Sequence, residues 1–357
     1  MASLDLAREL ASRVRLSEDK LTKKKSATSF NGHEHRDSML RHGLLISESM
    51  TPLLEERLSL VCERLLIPRA QVSAFVHNSA DVQADCLIDS PDTCVLRFTS
   101  GLVNLMDAFE FQFIVGHELG HFVLGHDSCS HSNSIGAAES FLIQRARELS
   151  ADRIGFLGVD SLNESMQAII KTASGLGDAF LRYDVGSFLS QADMLQNPKR
   201  GEARNSTHPS LLIRCRALLW FSMSVKSLAD LSHTTPTIIQ EVDRKVTKDL
   251  ERFVDGQTRV RKADIEEDVV LWKSCLLIVH EGAFPKEMQR RLSGQLGADR
   301  LESLKSFFEM FTSDELLREA AGRLDSATYA LYKEFPESAE DLEHIAIRRA
   351  YEILGTS

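Results

Sequence analysis

One short run of the sequence, FIVGHELGHFVLGHD at 113–127, places histidines and a glutamate among apolar residues. His117 and His121 are four residues apart, so on a helix they project from the same face, about 6 Å apart along the axis. Two imidazoles in this position can both reach one Zn²⁺ at roughly 2.0–2.1 Å. Glu118 follows the first histidine, where its carboxylate can take a proton from water. This HExxH arrangement predicts the zinc site and the general base of a metallopeptidase.

The third metal ligand decides the type of site. One zinc-peptidase pattern, HExxHxxGxxH, needs a glycine and a third histidine after the second one. This chain has Leu124 and Asp127 at those positions, and His126 is one residue out of register. The alternative is a glutamate from a following helix, and RARELSADRIGFLG supplies Glu148 with Asp152 one turn later. Glu148 can bind zinc while Asp152 accepts the other ring N–H of a zinc histidine and fixes its tautomer.

A third stretch, STHPSLLIRCRAL at 206–218, adds two hydrogen-bond donors. His208 is followed by a proline, and Arg214 comes six residues after the histidine. Both side chains could lean into a cleft and stabilise the oxyanion of a tetrahedral intermediate, or orient Glu148. Together with Glu118, these two residues are the predicted catalytic side chains.

In these motifs the sequence resembles the HtpX, Oma and CaaX-prenyl-protease group of gluzincin peptidases, metallopeptidase family forty-eight. The matching segments are FTSGLVNLM, GHELGHFVLGH, ELSAD and THPSLLIR, which occur in the family's order over roughly residues 60–220. The resemblance implies a gluzincin fold, peptide-bond hydrolysis, one Zn²⁺ per chain and a role in protein quality control. It also implies the following site residues: His117, His121 and Glu148 as zinc ligands, Glu118 as the general base, and Asp152, His208 and Arg214 in support.

The elements around the motifs follow from hydrophobic periodicity. The N-terminus has the apolar spacing of a short amphipathic helix, whereas residues 23–43 are polar, non-periodic and typical of a linker or mobile arm. A helix is expected over 48–67. Three strand-like runs follow, QVSAFVHN, ADCLIDS and DTCVLRFTSGLV. We expect TCVLRFTS to be the edge strand on which an extended peptide adds.

The expected fold class is α+β, with a small sheet and an HExxH active-site helix followed by an all-α domain. Beyond the linker-like LSHTTPTI, segments such as RLESLKSFFEMF show helical periodicity only. The predicted organisation has three parts: an N-terminal helix and mobile arm over 1–43, a zinc metallopeptidase domain over 44–235, and an all-helical domain over 236–357.

Composition limits the classes of partner and location. The chain has 357 residues, of which 43% are hydrophobic and 26% charged, as in an ordinary soluble globular protein. Its formal charge of −10 argues against nucleic acid or an anionic membrane as the main partner. No signal peptide and no uninterrupted apolar run long enough to span a bilayer is visible. The six cysteines form no CxxC pair and indicate reduced thiols, so we expect a cytoplasmic protein.

The sequence therefore predicts a cytoplasmic zinc metalloendopeptidase that acts on a peptide or protein, with the C-terminal helical domain available to a protein partner. The alternative is a non-catalytic metal-binding protein, regulatory or scaffolding, that acts through that helical domain. Glu118 argues against the alternative, because a protein without catalysis has no need of the general base. Peptide cleavage that a chelator abolishes and zinc restores would discriminate between the two.

Overall fold

Helices make up most of the structure, and a small sheet lies in the first of two compact units. The computed structural model describes residues 3–16, 18–21, 34–126, 138–191, 209–225 and 236–355. The first unit comprises Met1–Ile135 and Phe141–Val254, and the second comprises Gly136–Ser140 and Asp255–Ser357. The α+β class expected from the sequence is confirmed.

Four strands form one mixed sheet: β1 (Leu44–Leu45), β2 (Val72–His77), β3 (Ala84–Ser90) and β4 (Thr93–Thr99). Their order is β1-β2-β4-β3, with β2 and β4 parallel and the other two pairs antiparallel. The sequence predicts the three longer strands but not β1, whose two residues are too few to show alternation. The prediction that TCVLRFTS is an edge strand is wrong, because β4 is hydrogen-bonded to β2 on one side and to β3 on the other.

Helices cover this sheet and complete the first unit. The helix predicted over 48–67 is present as α3, which begins at its proline. In the described residues the helices are α1 (Leu4–Ser12), α2 (Glu34–His42), α3 (Pro52–Arg64), α4 (Ser100–Leu105), α5 (Ala108–Leu124), α6 (Ala138–Val159), α7 (Leu162–Ser174), α8 (Val185–Ser190), α9 (Leu211–Ser222) and α10 (Pro236–Leu250).

The HExxH motif lies on α5, whose two ends are fixed by capping. The Asp107 carboxylate accepts hydrogen bonds from the backbone N–H groups of Phe109 and Glu110, both at 2.8 Å. The Glu110 carboxylate in turn accepts from the backbone N–H of Asp107 at 2.7 Å, which completes a capping box. Gly125 ends the helix in the left-handed conformation, with φ 67°. The helix is buried along almost its whole length, so its few polar side chains have little contact with solvent.

Helices α5 and α6 approach each other through small residues. A methyl group added at Gly116 would lie 3.0 Å from the Cα atom of Gly155 and 3.2 Å from its carbonyl oxygen. One added at Gly120 would lie 3.1 Å from the Cα atom of Ala151. The two backbones are thus in van der Waals contact, and this contact sets the distance between the HExxH helix and the helix that carries Glu148.

We expect Gly116→Ala to destabilise the first unit by up to about 2 kcal/mol. The methyl group overpacks against the backbone at Gly155, which costs roughly 1–3 kcal/mol, while alanine regains about 1 kcal/mol of helix propensity. Urea denaturation monitored by circular dichroism measures the change. The control is Gly322→Ala on another helix, where no atom other than the local helix backbone lies within 4 Å of the added methyl. A Gly116→Ala midpoint at or above that of the wild type would contradict the tight contact.

The N-terminal segment packs into the core of the first unit. Helix α1 buries one apolar face, and Val14 and Leu16 after it are also buried. The backbone N–H of Leu16 donates to Ser150 Oγ at 3.1 Å, and Arg153 Nη1 donates to the Val14 carbonyl oxygen at 2.9 Å. Both partners lie on α6. These residues are therefore part of the first unit, whereas the sequence predicts a domain that starts only at residue 44.

The predicted linker over 23–43 is only partly described. Residues 23–33 lie outside the described residues, and most of the remainder forms α2. Met39 on that helix is buried in a small cluster with Phe75 and Val95, beneath the sheet strands β2 and β4. Sequence reasoning missed α2 because its apolar face is a single methionine in a strongly polar segment.

The boundary between the two units falls at Val254 and Asp255, later than the predicted division at 235 and 236. Helix α10 lies on the N-terminal side of this boundary. Its apolar stripe is buried in the first core, and Arg216 on α9 forms an ion pair with Asp249 at 2.5 Å. The buried residues of that stripe are Ile239, Val242, Val246 and Leu250.

In its described residues the second unit contains helices and no strand, and it has its own apolar core. Glu139, at the start of α6, belongs to this unit. Its carboxylate accepts a hydrogen bond from the backbone N–H of Glu337 at 2.7 Å, and so satisfies a donor just before the last helix of the unit. In the described part of the chain, no helix is both long enough and apolar enough to cross a membrane. The helices of this unit are α11 (Gly256–Glu281), α12 (Lys286–Leu296), α13 (Ala298–Met310), α14 (Ser313–Glu334) and α15 (Ala339–Leu354).

Candidate metal centre

Three potential ligand atoms converge between α5 and α6. His117 Nε2 and His121 Nε2 lie 3.2 Å apart, one turn from each other on α5. The carboxylate of Glu148, on α6, approaches both: one oxygen lies 3.6 Å from His117 Nε2 and the other 3.6 Å from His121 Nε2. The structure thus brings together the three residues that the sequence predicts as metal ligands.

The ring of His117 is held from behind by a carboxylate. His117 Nδ1 lies 2.9 Å from Asp152 Oδ1. Arg214, near the start of α9, donates to both oxygens of the same carboxylate, from Nε at 2.8 Å and from Nη2 at 2.5 Å. Three elements distant in the sequence therefore fix one imidazole ring, and Asp152 lies behind the ring of His117, a predicted ligand.

These contacts determine which nitrogen of His117 carries the proton. Burial raises the pKa of Asp152, but the charge and hydrogen bonds of Arg214 outweigh burial and lower it below its usual value. The ionised carboxylate can only accept, so His117 Nδ1–H is the donor. Burial lowers the pKa of His117, but Asp152 and the nearby carboxylates outweigh it and leave the pKa raised. When the ring is neutral, as metal binding requires, its Nε2 lone pair faces His121 and Glu148.

A second network holds His121. Its Nδ1 lies 2.9 Å from His126 Nδ1, and His126 Nε2 lies 2.9 and 3.1 Å from the two carboxylate oxygens of Asp19. Burial lowers the pKa of His121 to about 3 and that of His126 below its usual value, so both rings are neutral. Burial opposes the ionisation of Asp19, but the hydrogen bonds from His126 and Arg15 hold its pKa well below the usual range. His126 Nε2–H therefore donates to Asp19, and His121 Nδ1–H donates to His126.

The donor set that results fits a divalent cation. With both rings neutral and protonated on Nδ1, the two Nε2 atoms and the Glu148 carboxylate direct lone pairs into one small volume. Ligand atoms bound tetrahedrally at roughly 2.0–2.1 Å from a zinc ion are about 3.3 Å apart. The observed separations of 3.2 and 3.6 Å are close to that value. Two imidazoles and one carboxylate are also ligand types that zinc sites use.

Glu118 adds a protonatable group beside these ligands. It follows His117 on α5 and is only 8% exposed. Burial raises the pKa of Glu118 to about 7; the charge of His117 opposes this shift and that of Glu148 adds to it. The three-residue ligand group does not include Glu118. A carboxyl group with a pKa near neutrality can both take up and release a proton during a reaction.

The two other predicted catalytic residues are placed differently from Glu118. His208 lies outside the described residues. Arg214 makes its hydrogen bonds to Asp152, so its guanidinium group lies behind His117 rather than on Glu148. The contact of either residue with an oxyanion stays a prediction.

Sequence reasoning missed the roles of His126 and Asp19. The spacing of His126 indicates only a ligand out of register, but Gly125 reverses the chain and the backbone N–H of His126 returns to the carbonyl oxygen of His121 at 2.8 Å. A glycine that ends the motif helix is the signal that could have pointed to it. Nothing in the sequence marks Asp19, because its partner is 107 residues away.

We expect Asp152→Asn to lower metal affinity by roughly 10–100-fold, as removal of a charged partner behind a histidine ligand does. The amide loses the charge and can turn its NH₂ group towards His117, which disfavours the required tautomer. Competition with a chromophoric chelator measures the affinity. Asp160→Asn, an exposed site at the end of α6, is the matched control. Equal affinities for the two variants would remove Asp152 from the metal centre.

Compared with known proteins, the chain matches no family model, no curated protein and no solved structure. The family resemblance therefore stays a prediction, and the side chains of the site are the evidence on function.

Proposed function

We propose that this chain is a zinc metalloendopeptidase of the gluzincin type. One observation carries the proposal: the Nε2 atoms of His117 and His121 and the carboxylate of Glu148 converge within reach of one metal ion, beside the buried carboxyl group of Glu118. A purely structural metal site needs the ligands but not a carboxyl group with a pKa raised by burial to about 7. The combination favours hydrolysis.

The reaction divides its tasks among these side chains. A zinc ion held by His117, His121 and Glu148 would supply Lewis-acid activation of water and of the scissile carbonyl group. Glu118 takes one proton from the attacking water and passes it to the amide nitrogen as the C–N bond breaks. Asp152 keeps the ring of His117 in the orientation that this task needs.

We assign substrate binding to the edge of the sheet. Strand β3 pairs with β4 on one side, and in the described sheet no strand pairs with its other side. Helix α5 packs against β3. After burial and the charges of the two ligands, Asp85 on β3 also contributes to the raised pKa of Glu118, which indicates that this edge runs beside the general base. An extended peptide can add there through backbone hydrogen bonds, as other peptides do at open sheet edges.

The remaining features of the proposal come from the sequence. The family resemblance supports a protein substrate and a role in protein quality control, and the net charge of −10 disfavours nucleic acid. We place the protein in the cytoplasm and assign the second unit to a protein partner.

The test combines metal analysis with a cleavage assay. We expect the purified chain to bind about one equivalent of zinc. It should cleave casein or an unstructured fluorogenic peptide, lose this activity when the metal is stripped, and regain it with zinc. Failure of the wild type to bind zinc would overturn the proposal. Stoichiometric zinc without cleavage of any substrate would favour the alternative, a non-catalytic metal-binding protein.

A further inference from the structure

Asp19 is a completely buried carboxylate that lies far from the HExxH motif in the sequence. It belongs to a short 3-10 turn, Glu18–Leu21, that follows α1. The Asp19 carboxylate lies 2.9 and 3.1 Å from His126 Nε2, and it also accepts from Arg15 Nε and Nη2, each at 3.1 Å. Burying a charge is costly unless several partners compensate for it. This carboxylate has such partners, and one of them leads directly to a metal ligand.

We propose that Asp19 is a positioning residue of the metal centre, which acts through His126 to hold His121 in the tautomer that can bind metal. The inference rests on the proposed metal site and extends it to the N-terminal segment. It assigns a function to residues 18–21, which contain none of the motifs.

The direction of the hydrogen bonds carries the argument. Because the Asp19 carboxylate can only accept, His126 must place its proton on Nε2. Its Nδ1 is then an acceptor, and it lies 2.9 Å from His121 Nδ1. His121 must therefore carry its proton on Nδ1. Its Nε2 atom then carries no proton, and its lone pair faces His117 and Glu148.

Without the Asp19 carboxylate, nothing in this chain of hydrogen bonds would fix the direction in which each ring donates. His126 could then carry its proton on Nδ1 and direct it towards His121 Nδ1, which would have to become the acceptor. The proton of His121 would move to Nε2, the atom that has to bind the metal. A proton there blocks coordination, because metals bind the neutral imidazole through a lone pair. The free energy needed to change the tautomer would be subtracted from the binding free energy of the metal, so the metal would bind more weakly.

The N-terminal segment is anchored well enough to perform this role. Leu16 and Val14 are hydrogen-bonded through their backbones to Ser150 and Arg153 on α6. That helix also carries Glu148, so the segment that presents Asp19 is attached to the same helix as the third ligand. The two networks mirror each other: Asp152 fixes His117 directly, and Asp19 fixes His121 through one intervening ring.

The experiment compares the full-length wild type with Asp19→Ala and Asp19→Asn. Asp19→Glu tests rescue by a conservative change, and Asp5→Asn, an exposed aspartate on α1, is the control. The first readout is zinc affinity by chelator competition. We expect a roughly 10–100-fold loss for Asp19→Ala, a smaller loss for Asp19→Asn, at least partial recovery in Asp19→Glu and no change for the control.

The second readout is the tautomer of His121 in metal-free protein, from two-dimensional NMR with ¹⁵N-labelled histidine, assigned with a His121→Gln variant. We expect the wild type to carry its proton on Nδ1, and Asp19→Ala to shift it to Nε2 in a measurable fraction. This readout does not depend on metal. If wild-type protein bound no zinc, the proposed function would fail while the tautomer still tested the relay.

A merely structural role gives a different pattern. If Asp19 only stabilised the fold, the variants would melt at lower temperature, yet the folded molecules would keep wild-type zinc affinity and the Nδ1–H tautomer. That result would overturn the inference. Should Asp19→Ala fail to fold, Asp19→Asn, which preserves the shape of the side chain, decides between the two patterns.

Discussion

Glu118→Gln is expected to retain bound metal and to hydrolyse peptides roughly 10²–10⁴-fold more slowly than the wild type. This is the range of rate acceleration that general acid–base catalysis contributes. The amide has the shape of the carboxyl group, but it cannot take a proton from water or return one to the leaving nitrogen. Because Glu118 is not among the three ligands, the zinc content should stay near that of the wild type. Initial rates on a fluorogenic peptide, measured beside elemental analysis of the same preparation, give both quantities.

The matched control for this change is Glu56→Gln on α3, where the side chain is mostly exposed. It removes one carboxylate and leaves the metal centre untouched, so its activity should equal that of the wild type. Full activity in Glu118→Gln would refute the assigned general base. A loss of metal from that variant would show instead that Glu118 supports the ligands.

Glu148→Ala is expected to lower zinc affinity by more than about 100-fold, beyond the range for partners behind a ligand. The change removes one of three proposed ligand atoms together with its negative charge, and leaves only the imidazoles of His117 and His121 as ligands. Glu148→Gln keeps the volume and separates the loss of charge from the loss of packing. Chelator competition provides the measurement.

The ordering of the variants is itself informative. Glu148→Ala should bind zinc more weakly than Asp152→Asn, because a lost ligand costs more than a displaced one. Wild-type affinity in Glu148→Ala would mean that the third ligand lies elsewhere in the chain. Both variants should retain the far-ultraviolet circular dichroism of the wild type, since each changes a single side chain and no backbone group.

The sequence predicts those features of the site that depend on local spacing. His117 and His121 share a helix face because they are one turn apart, and Glu148 and Asp152 do so for the same reason. The three longer strands follow from alternation and from β-branched residues. In each case the information lies within one element, so periodicity is sufficient.

Other features depend on contacts between distant segments, and the sequence does not reveal them. TCVLRFTS has the pattern of a strand, but the pattern does not say that β2 and β3 flank it. Helix α10 has an amphipathic stripe that could pack on either unit. Asp19 is one of many charged residues in a polar stretch, and only the fold shows that it is buried against His126. Tertiary packing decides each of these, and local propensity does not.

The proposed metal centre is assembled from residues that a ribosome adds to the chain at very different times. Asp19 emerges early, the HExxH helix and α6 follow, and Arg214 comes last of all the side chains in the two networks. A nascent chain that displays only the motif would hold a metal with two histidines whose tautomers are not yet fixed. Since metal binding to such a site is coupled to folding, we expect stable loading only after α9 has been synthesised and has docked. Metal incorporation should therefore be a late, post-translational step, and an incomplete chain released from the ribosome would carry the motif without the proposed activity.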